Sequence, residues 1–262
     1  MHNLIKKVSV YMKQLDDNKK RELPPLGICA ILFLCAFFFS IIILDNSYEA
    51  QRLYSVMLIG EGVYGSDSQS PGDAGLLVVI DPGHGGNDPG KVSPDGILEK
   101  DINLEISFVL KAELERRGIT THMLRITDEN LATQGATNRK TSDMKNRVAI
   151  INDTNPDVFV SIHQNSFTDP SVRGPQVFYH STSEASEEFA LVLQEKLKAL
   201  NSDYAREAKQ GNDYYILNKT VCPGVIVECG FLSCPEEAAI LTSQEYQQKI
   251  ASAIADAIED AY

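Results

Sequence analysis

Cysteine is scarce in this chain, which has five among its 262 residues. Cys29 and Cys35 lie in an apolar stretch near the N-terminus, which leaves Cys222, Cys229 and Cys234 for the rest of the chain. An odd number of cysteines is not the disulfide framework that stabilises small secreted domains. A single bridge among the three, for example between Cys229 and Cys234, stays open.

Positive charge is also scarce beyond the first 44 residues. That part of the chain keeps 18 of the 24 basic and 33 of the 36 acidic residues, a net charge of −15. An acidic surface repels DNA, RNA and other anionic polymers. A nucleic-acid-binding role is therefore disfavoured.

The sequence has one long apolar run, the nineteen uncharged residues 26–44. This length is enough to cross a bilayer as a helix. Six basic residues lie in 1–25, whereas Arg52 is the only one in 45–75, so the positive-inside rule places 1–25 in the cytoplasm and the chain beyond the run outside. The alternative is a cleaved signal peptide, but the following residues, LDNSYEA, offer no good cleavage site. We expect a membrane-anchored or secreted protein whose larger part is extracytoplasmic.

Residues 45–75 are rich in Gly, Ser and Asp and are predicted to form a linker, which leaves 76–262 as one domain. Short apolar or β-branched runs predict the strands Leu76–Ile80, Ile119–Leu124, Val158–Ile162, Gln176–Tyr179, Tyr214–Leu217 and Val225–Val227. Helices are predicted from a cap at Asp101 to Gly118, over 143–152, over 184–200, and over 243–261 behind a capping box of Thr242 and Glu245. The alternation predicts a single α/β domain around a mostly parallel sheet flanked by helices.

A glycine-rich loop follows the first predicted strand in LLVVIDPGHGGNDPG, residues 76–90. A phosphate-binding P-loop would end in Lys followed by Ser or Thr, but here Lys91 is followed by Val92. A dinucleotide-binding loop would lead directly into a helix with G-x-G-x-x-G spacing, and this loop does not. The phosphate interpretation is therefore weak.

Chemically competent side chains follow three of the predicted strands: His84, His163 and Glu228. In open α/β sheets the binding site lies outside the carboxyl ends of the strands, so these residues are expected to meet at one edge. Glu99 joins them just ahead of the first helix. Two imidazoles and a carboxylate are a known catalytic zinc set, and a further glutamate can take a proton from water. A lone histidine is more often structural, which is how we interpret His122, but the joint placement favours a site.

At these residues the chain resembles the zinc-dependent N-acetylmuramoyl-L-alanine amidases known as amidase type 3. Four motifs carry the resemblance in order: VVIDPGHGGNDPG, LEKDINLE, VFVSIHQNS and PGVIVECGFLSCPEEA. The resemblance implies a mostly parallel sheet of about six strands. It also implies one Zn²⁺ on His84, Glu99 and His163, with Glu228 as the catalytic residue.

The same resemblance implies hydrolysis of the amide between N-acetylmuramic acid and L-alanine in peptidoglycan. The anchor and the stretch AREAKQGNDYYILNKT are most similar to germination-specific amidases of spore-formers, which implies a role in spore-cortex maturation through muramic-δ-lactam. Asn165 and Asn212 are candidate substrate contacts. Arg147 is a further candidate, but on a helix it is more often a surface or helix-packing residue. Because no separate wall-binding repeat is present, the membrane tether or an accessory envelope protein is expected to bring the domain to its substrate. A zinc peptidase or deacetylase on another envelope amide, or a catalytically silent scaffold, remain the alternatives.

Overall fold

The structure is a computed structural model that describes residues 75–200 and 202–262. The predicted membrane segment 26–44 and nearly all of the predicted linker lie outside the described residues. Within the described residues, no helix has the length and apolarity needed to cross a bilayer.

Strands and helices alternate along the described residues. The strands are β1 (Leu77–Pro82), β2 (Thr120–Met123), β3 (Val158–Asn165), β4 (Gln176–Tyr179), β5 (Lys209–Gln210) and β6 (Gly224–Phe231). The helices are α1 (Glu99–Arg116), α2 (Arg139–Thr154), α3 (Glu184–Leu200), α4 (Tyr215–Lys219), α5 (Pro235–Leu241) and α6 (Gln244–Ala261), with a short 3-10 helix at Ser202–Tyr204. The predicted α/β class is confirmed.

The strands form one sheet in the order β2-β1-β3-β6-β4-β5. All neighbouring strands are parallel except β4, which runs antiparallel to β6. The carboxyl ends of β1, β3 and β6 therefore lie side by side at one edge. The prediction of a mostly parallel six-stranded sheet is confirmed for the described residues.

Each central strand is apolar on both faces, which is typical of a sheet covered on both sides. Val158, Val160 and Ile162 of β3 belong to the larger core with helices α1, α3 and α6. Phe159 faces the other way, into a smaller core with α2 and α4. The helices thus bury both faces and leave the edges of the sheet for the loops.

One predicted strand is wrong, because Tyr214–Leu217 is not a strand. Tyr214 closes a turn by donating its amide hydrogen to the Gly211 carbonyl, and helix α4 begins at Tyr215. Ile216 and Leu217 then pack into the smaller core. A four-residue apolar run has no periodicity that separates a strand from a helical turn. The outer strand is instead the polar pair Lys209–Gln210.

Two helix starts also differ from their predictions. Helix α1 begins at Glu99, with Leu98 at the capping position and no side-chain cap, so Asp101 lies inside the first turn. Helix α6 is capped by Ser243, whose hydroxyl accepts the Tyr246 amide hydrogen, while the Thr242 hydroxyl donates back to the Ala239 carbonyl. Strand β4 and helix α3 have the predicted bounds. The bounds of the other four correctly predicted strands and the other three long helices differ from their predictions by a few residues.

Candidate metal centre and catalytic site

The face of the sheet covered by α2 and α4 changes from apolar to polar towards its carboxyl edge. On β3, Phe159 is followed at two-residue spacing by Ser161 and His163, and on β6, Ile226 is followed by Glu228. Alternate residues of a strand point to the same face, so these polar side chains lie on the same face of the sheet as Phe159 and Ile226. The register pairs His163 directly with Glu228, next to an irregularity in β3 between 163 and 165. Irregularities of this kind are common in strands beside active sites.

Glu99 reaches this edge from the first residue of α1 and is almost fully buried. Its Oε1 lies 2.9 Å from His163 Nδ1 and 3.2 Å from His84 Nε2. Its Oε2 accepts the backbone amide hydrogen of Lys91 at 2.7 Å. Burial by itself would raise the pKa of Glu99, but the hydrogen bonds with the two imidazoles hold it well below its usual range. The carboxylate is therefore an anion that faces two nitrogen donors.

His84, Glu99 and His163 form a group that fits a metal ion. One ligand atom from each lies within 4.8 Å of the other two. Zinc bonds of about 2.0–2.2 Å in a tetrahedron separate ligand atoms by roughly 3.3 Å, close to the contacts of Glu99 Oε1. His84 Nδ1 lies 2.9 Å from Asp88 Oδ2, so with a metal bound at Nε2 this carboxylate would accept the Nδ1 hydrogen and orient the ring. The structure thus brings together the three predicted ligands and adds Asp88, which the sequence analysis missed.

Glu228 lies beside this group but makes no comparable contacts. Its Oε2 is buried and has no hydrogen-bond partner among the described residues. Burial raises the pKa of Glu228 to about 7, with the charge of Glu99 adding to the rise and the nearby imidazole of His163 opposing it. A buried carboxylate atom without a partner is costly unless a ligand, water or proton occupies the space it faces. Glu228 therefore has the features of a group that exchanges protons with a bound molecule.

Two glycines keep the space around the ligands open. A Cβ on Gly83 would lie 2.3 Å from the His163 ring. A Cβ on Gly90 would lie 2.4 Å from Glu99 Oε2, and Gly90 also has a left-handed φ of 69°. The glycines of this loop thus serve close approach to the imidazole and the carboxylate.

The carbonyl groups of the same loop are bound by two buried arginines. Arg125 donates to the carbonyls of Pro82 and Gly83, and Arg147 donates to those of Pro82 and His84. Both arginines are almost fully buried. Arg147 was expected to be a surface or helix-packing residue, and the surface alternative is wrong because it is buried against the loop. Charged residues are rarely buried, so nothing in the local sequence indicated this position.

The two predicted substrate contacts lie in different places. Asn165 ends β3 at the carboxyl edge, two residues after His163, and its side chain accepts the Ser166 amide hydrogen. Asn212 instead accepts the Ser181 amide hydrogen, just beyond the end of β4. Because β4 runs antiparallel to β6, this end lies near the start of β6, at the opposite edge of the sheet. The role of each stays a prediction.

The cysteines of the described residues and His122 lie outside the metal-competent group. Cys222, Cys229 and Cys234 are all free, so the suggested bridge is not present. His122 is exposed on β2.

The chain matches known proteins over this whole region. Residues 78–260 match the Amidase_3 family, N-acetylmuramoyl-L-alanine amidase. A germination-specific N-acetylmuramoyl-L-alanine amidase from Bacillus subtilis is 36% identical over 184 residues, covering 69% of this chain and 77% of the relative.

Solved structures show the same likeness. The structure of the CwlD amidase from Clostridioides difficile in complex with the GerS lipoprotein has a TM-score of 0.69 at 38% identity, covering 71% of this chain and 98% of that chain. The amidase AmiC2 of Nostoc punctiforme has a TM-score of 0.61 at 34% identity, covering 71% and 96%. The family resemblance predicted from the four motifs is confirmed: the chain belongs to the Amidase_3 family of N-acetylmuramoyl-L-alanine amidases.

Proposed function

We propose that the chain is a zinc-dependent amidase that hydrolyses the bond between N-acetylmuramic acid and L-alanine in peptidoglycan, with residues 76–262 as its catalytic domain. The observation that carries this proposal is the partnerless Oε2 of buried Glu228 beside the group His84, Glu99 and His163. Three protein ligands leave a fourth position for water or substrate, as in catalytic zinc sites. The names of the relatives indicate the substrate bond.

In the proposed mechanism, His84, Glu99 and His163 would hold the zinc ion, which would supply a Lewis acid for the substrate carbonyl and for water. Glu228 accepts the proton of the attacking water through its carboxylate. It then donates that proton to the nitrogen of the departing L-alanine, so one residue serves as base and then as acid. Asp88 orients the His84 ring, and the two glycines of the loop keep the approach to the ligands clear. Asn165 at the same edge is the more favourable of the two candidate substrate contacts.

The biological setting is proposed from the likeness to germination amidases. We infer that the protein acts outside the cytoplasm, held to the membrane through 26–44, and removes stem peptides during formation of muramic-δ-lactam in the spore cortex. The similar CwlD amidase was solved in complex with a lipoprotein. An accessory envelope protein is the corresponding proposal for this chain.

The test is muropeptide profiling of peptidoglycan after incubation with the wild type and the Glu228→Gln variant, each with and without a chelator. We expect the wild type to release stem peptides that begin with L-alanine, and the chelator to stop the release. Glu228→Gln should lose at least about 100-fold in activity because it removes the proton carrier. It should retain bound zinc, since Glu228 is not among the ligands.

Glu236→Gln is the matched control. Glu236 is exposed and lies eight residues further along the same segment, where it contacts Arg173. This variant should keep near-normal release. Cleavage inside the peptide would instead identify a peptidase, and intact peptidoglycan with the wild type would identify a scaffold. Near-normal turnover by Glu228→Gln would show that Glu228 is not the proton carrier.

A further inference from the structure

Two buried arginines lie beneath the glycine-rich loop, and the proposed reaction does not use either of them directly. Arg147 projects from α2 and is 1% exposed, and Arg125 follows β2 and is 2% exposed. Burying a guanidinium is costly unless every donor finds a partner. Their hydrogen bonds therefore show what each one holds in place.

Arg147 joins three parts of the fold through one rigid group. Its Nε donates to Asp143 Oδ2 at 2.7 Å, one turn earlier on α2. Its Nη1 pairs with Asp81 on β1 and donates to the Pro82 carbonyl at 2.9 Å. Its Nη2 donates to the carbonyl of His84 at 2.6 Å. The planar fork of arginine can meet all of these acceptors at once, and the single ammonium of lysine cannot.

The backbone of His84 has an unusual conformation at this point. Its φ is 62°, in the left-handed region that residues with side chains rarely adopt. The orientation of the next peptide plane, and so of the His84 carbonyl, depends on this conformation. In this conformation the His84 carbonyl accepts the bond from Arg147, and His84 Nε2 lies 3.2 Å from Glu99 Oε1.

Arg125 supports neighbouring residues of the loop but not His84. It donates to the carbonyls of Pro82, Gly83, Lys100 and Thr127. Asp81, the partner of Arg147, is itself fixed by the Ser161 hydroxyl at 2.6 Å. Arg147 is thus the buried cation that links the carbonyl of His84 to carboxylates on both β1 and α2.

We propose that Arg147 is a positioning residue that sets the metal affinity of the site by holding His84 in its left-handed conformation. The proposal rests on the metal site of the proposed function. Arg147 acts through the backbone of the ligand and touches neither metal nor substrate. Groups that orient metal ligands typically change metal affinity by about 10–100-fold when they are replaced.

The experiment measures the zinc affinity of the full chain by competition with a coloured chelator, and the absorption spectrum with Co²⁺ bound. Arg147→Lys is expected to weaken zinc binding by about 10–100-fold and to alter the Co²⁺ spectrum, with a near-native far-ultraviolet circular dichroism spectrum.

Arg117→Lys is the matched control. Arg117 is a partly buried arginine just beyond the C-terminal end of α1, and it pairs with Glu113, Asp256 and Glu259. It should lower the melting temperature and leave zinc affinity within about twofold, since it loses a comparable fork of ion pairs away from the loop.

A milder variant keeps the proposal testable if Arg147→Lys does not fold. Asp143→Asn removes the charge of one Arg147 partner and keeps its shape, and it should weaken zinc binding by less than about tenfold. Unchanged affinity in a folded Arg147→Lys protein, or unchanged affinity in Asp143→Asn, would overturn the proposal. An equal loss in Arg117→Lys would also overturn it, because the effect would then follow general stability. A wild-type chain that binds no divalent metal would contradict the proposed function and remove this inference with it.

Discussion

The two ends of helix α1 each hold a buried glutamate, yet the two carboxylates have different partners. Glu99 at the first residue contacts the imidazoles of His84 and His163. Glu113 near the last turn pairs with Arg116 and Arg117, and these bonds lower its pKa to about 2. The pKa of both glutamates is lowered, so a lowered pKa alone does not mark a functional site.

The chemistry of the partners makes the difference. Arginine is permanently charged and has no lone pair to offer, so the end of α1 at Glu113 can only be an ion pair. Arg117 extends that pair to Asp256 and Glu259 on α6, which joins the two helices. Imidazole can release its proton and present a lone pair to a metal. The end at Glu99 therefore belongs to a group that fits a metal ion. The end at Glu113 is an ion-pair clamp between two helices.

The largest expected effect comes from replacing each glutamate by its neutral amide. Glu99→Gln should weaken zinc binding by more than about 100-fold, because it removes a charged ligand rather than a group that orients one. Glu113→Gln should leave zinc affinity within about twofold and cost about 1 kcal/mol of stability. Chelator competition and urea denaturation measure the two quantities. Similar metal affinities in the two variants would show that the two ends of α1 do not differ in function.

Left-handed glycines allow the same comparison with a smaller effect. Gly90 and Gly118 have φ values of 69° and 80°, but a Cβ on Gly90 would strike Glu99, whereas a Cβ on Gly118 would meet nothing within 4 Å. Gly118→Ala should cost only the backbone strain, about 1–2 kcal/mol. Gly90→Ala should add a loss of about tenfold or more in zinc affinity, because Glu99 must move. Equal zinc affinities in the two alanine variants would mean that the loop yields around the added methyl group.

The smallest effect is in the pH dependence of folding. The bonds to Arg116 and Arg117 lower the pKa of Glu113 from 4.5 to about 2. The stability it contributes is therefore present in full above pH 4.5 and is lost as the pH falls towards 2. The difference in unfolding free energy between the wild type and Glu113→Gln should shrink from about 1 kcal/mol at pH 7 to near zero at pH 2. Glu99 is present in both proteins, so its contribution cancels in the difference between their unfolding free energies. A difference that stays constant over this range would contradict the ion-pair account.

Elements with a clear period could be predicted from the sequence, and short ones could not. Helix α3 and strand β4 have the predicted bounds because a long amphipathic pattern and a β-branched, aromatic run are each distinctive. Tyr214–Leu217 has the composition of a strand but forms a helical turn, since the preceding turn and the smaller core decide its conformation. His163 and Glu228 were expected just after their strands and lie within them, which does not change the edge they occupy.

The sequence by itself determined the α/β class and the family, and it singled out His84, Glu99, His163 and Glu228 as candidate site residues, because the alternation of strand and helix patterns and the motifs are local properties of the chain. Tertiary structure decided what supports them. Arg147 reaches a carbonyl 63 residues earlier in the chain. Such a bond leaves no local pattern, because a buried arginine is specified by acceptors that only folding brings together.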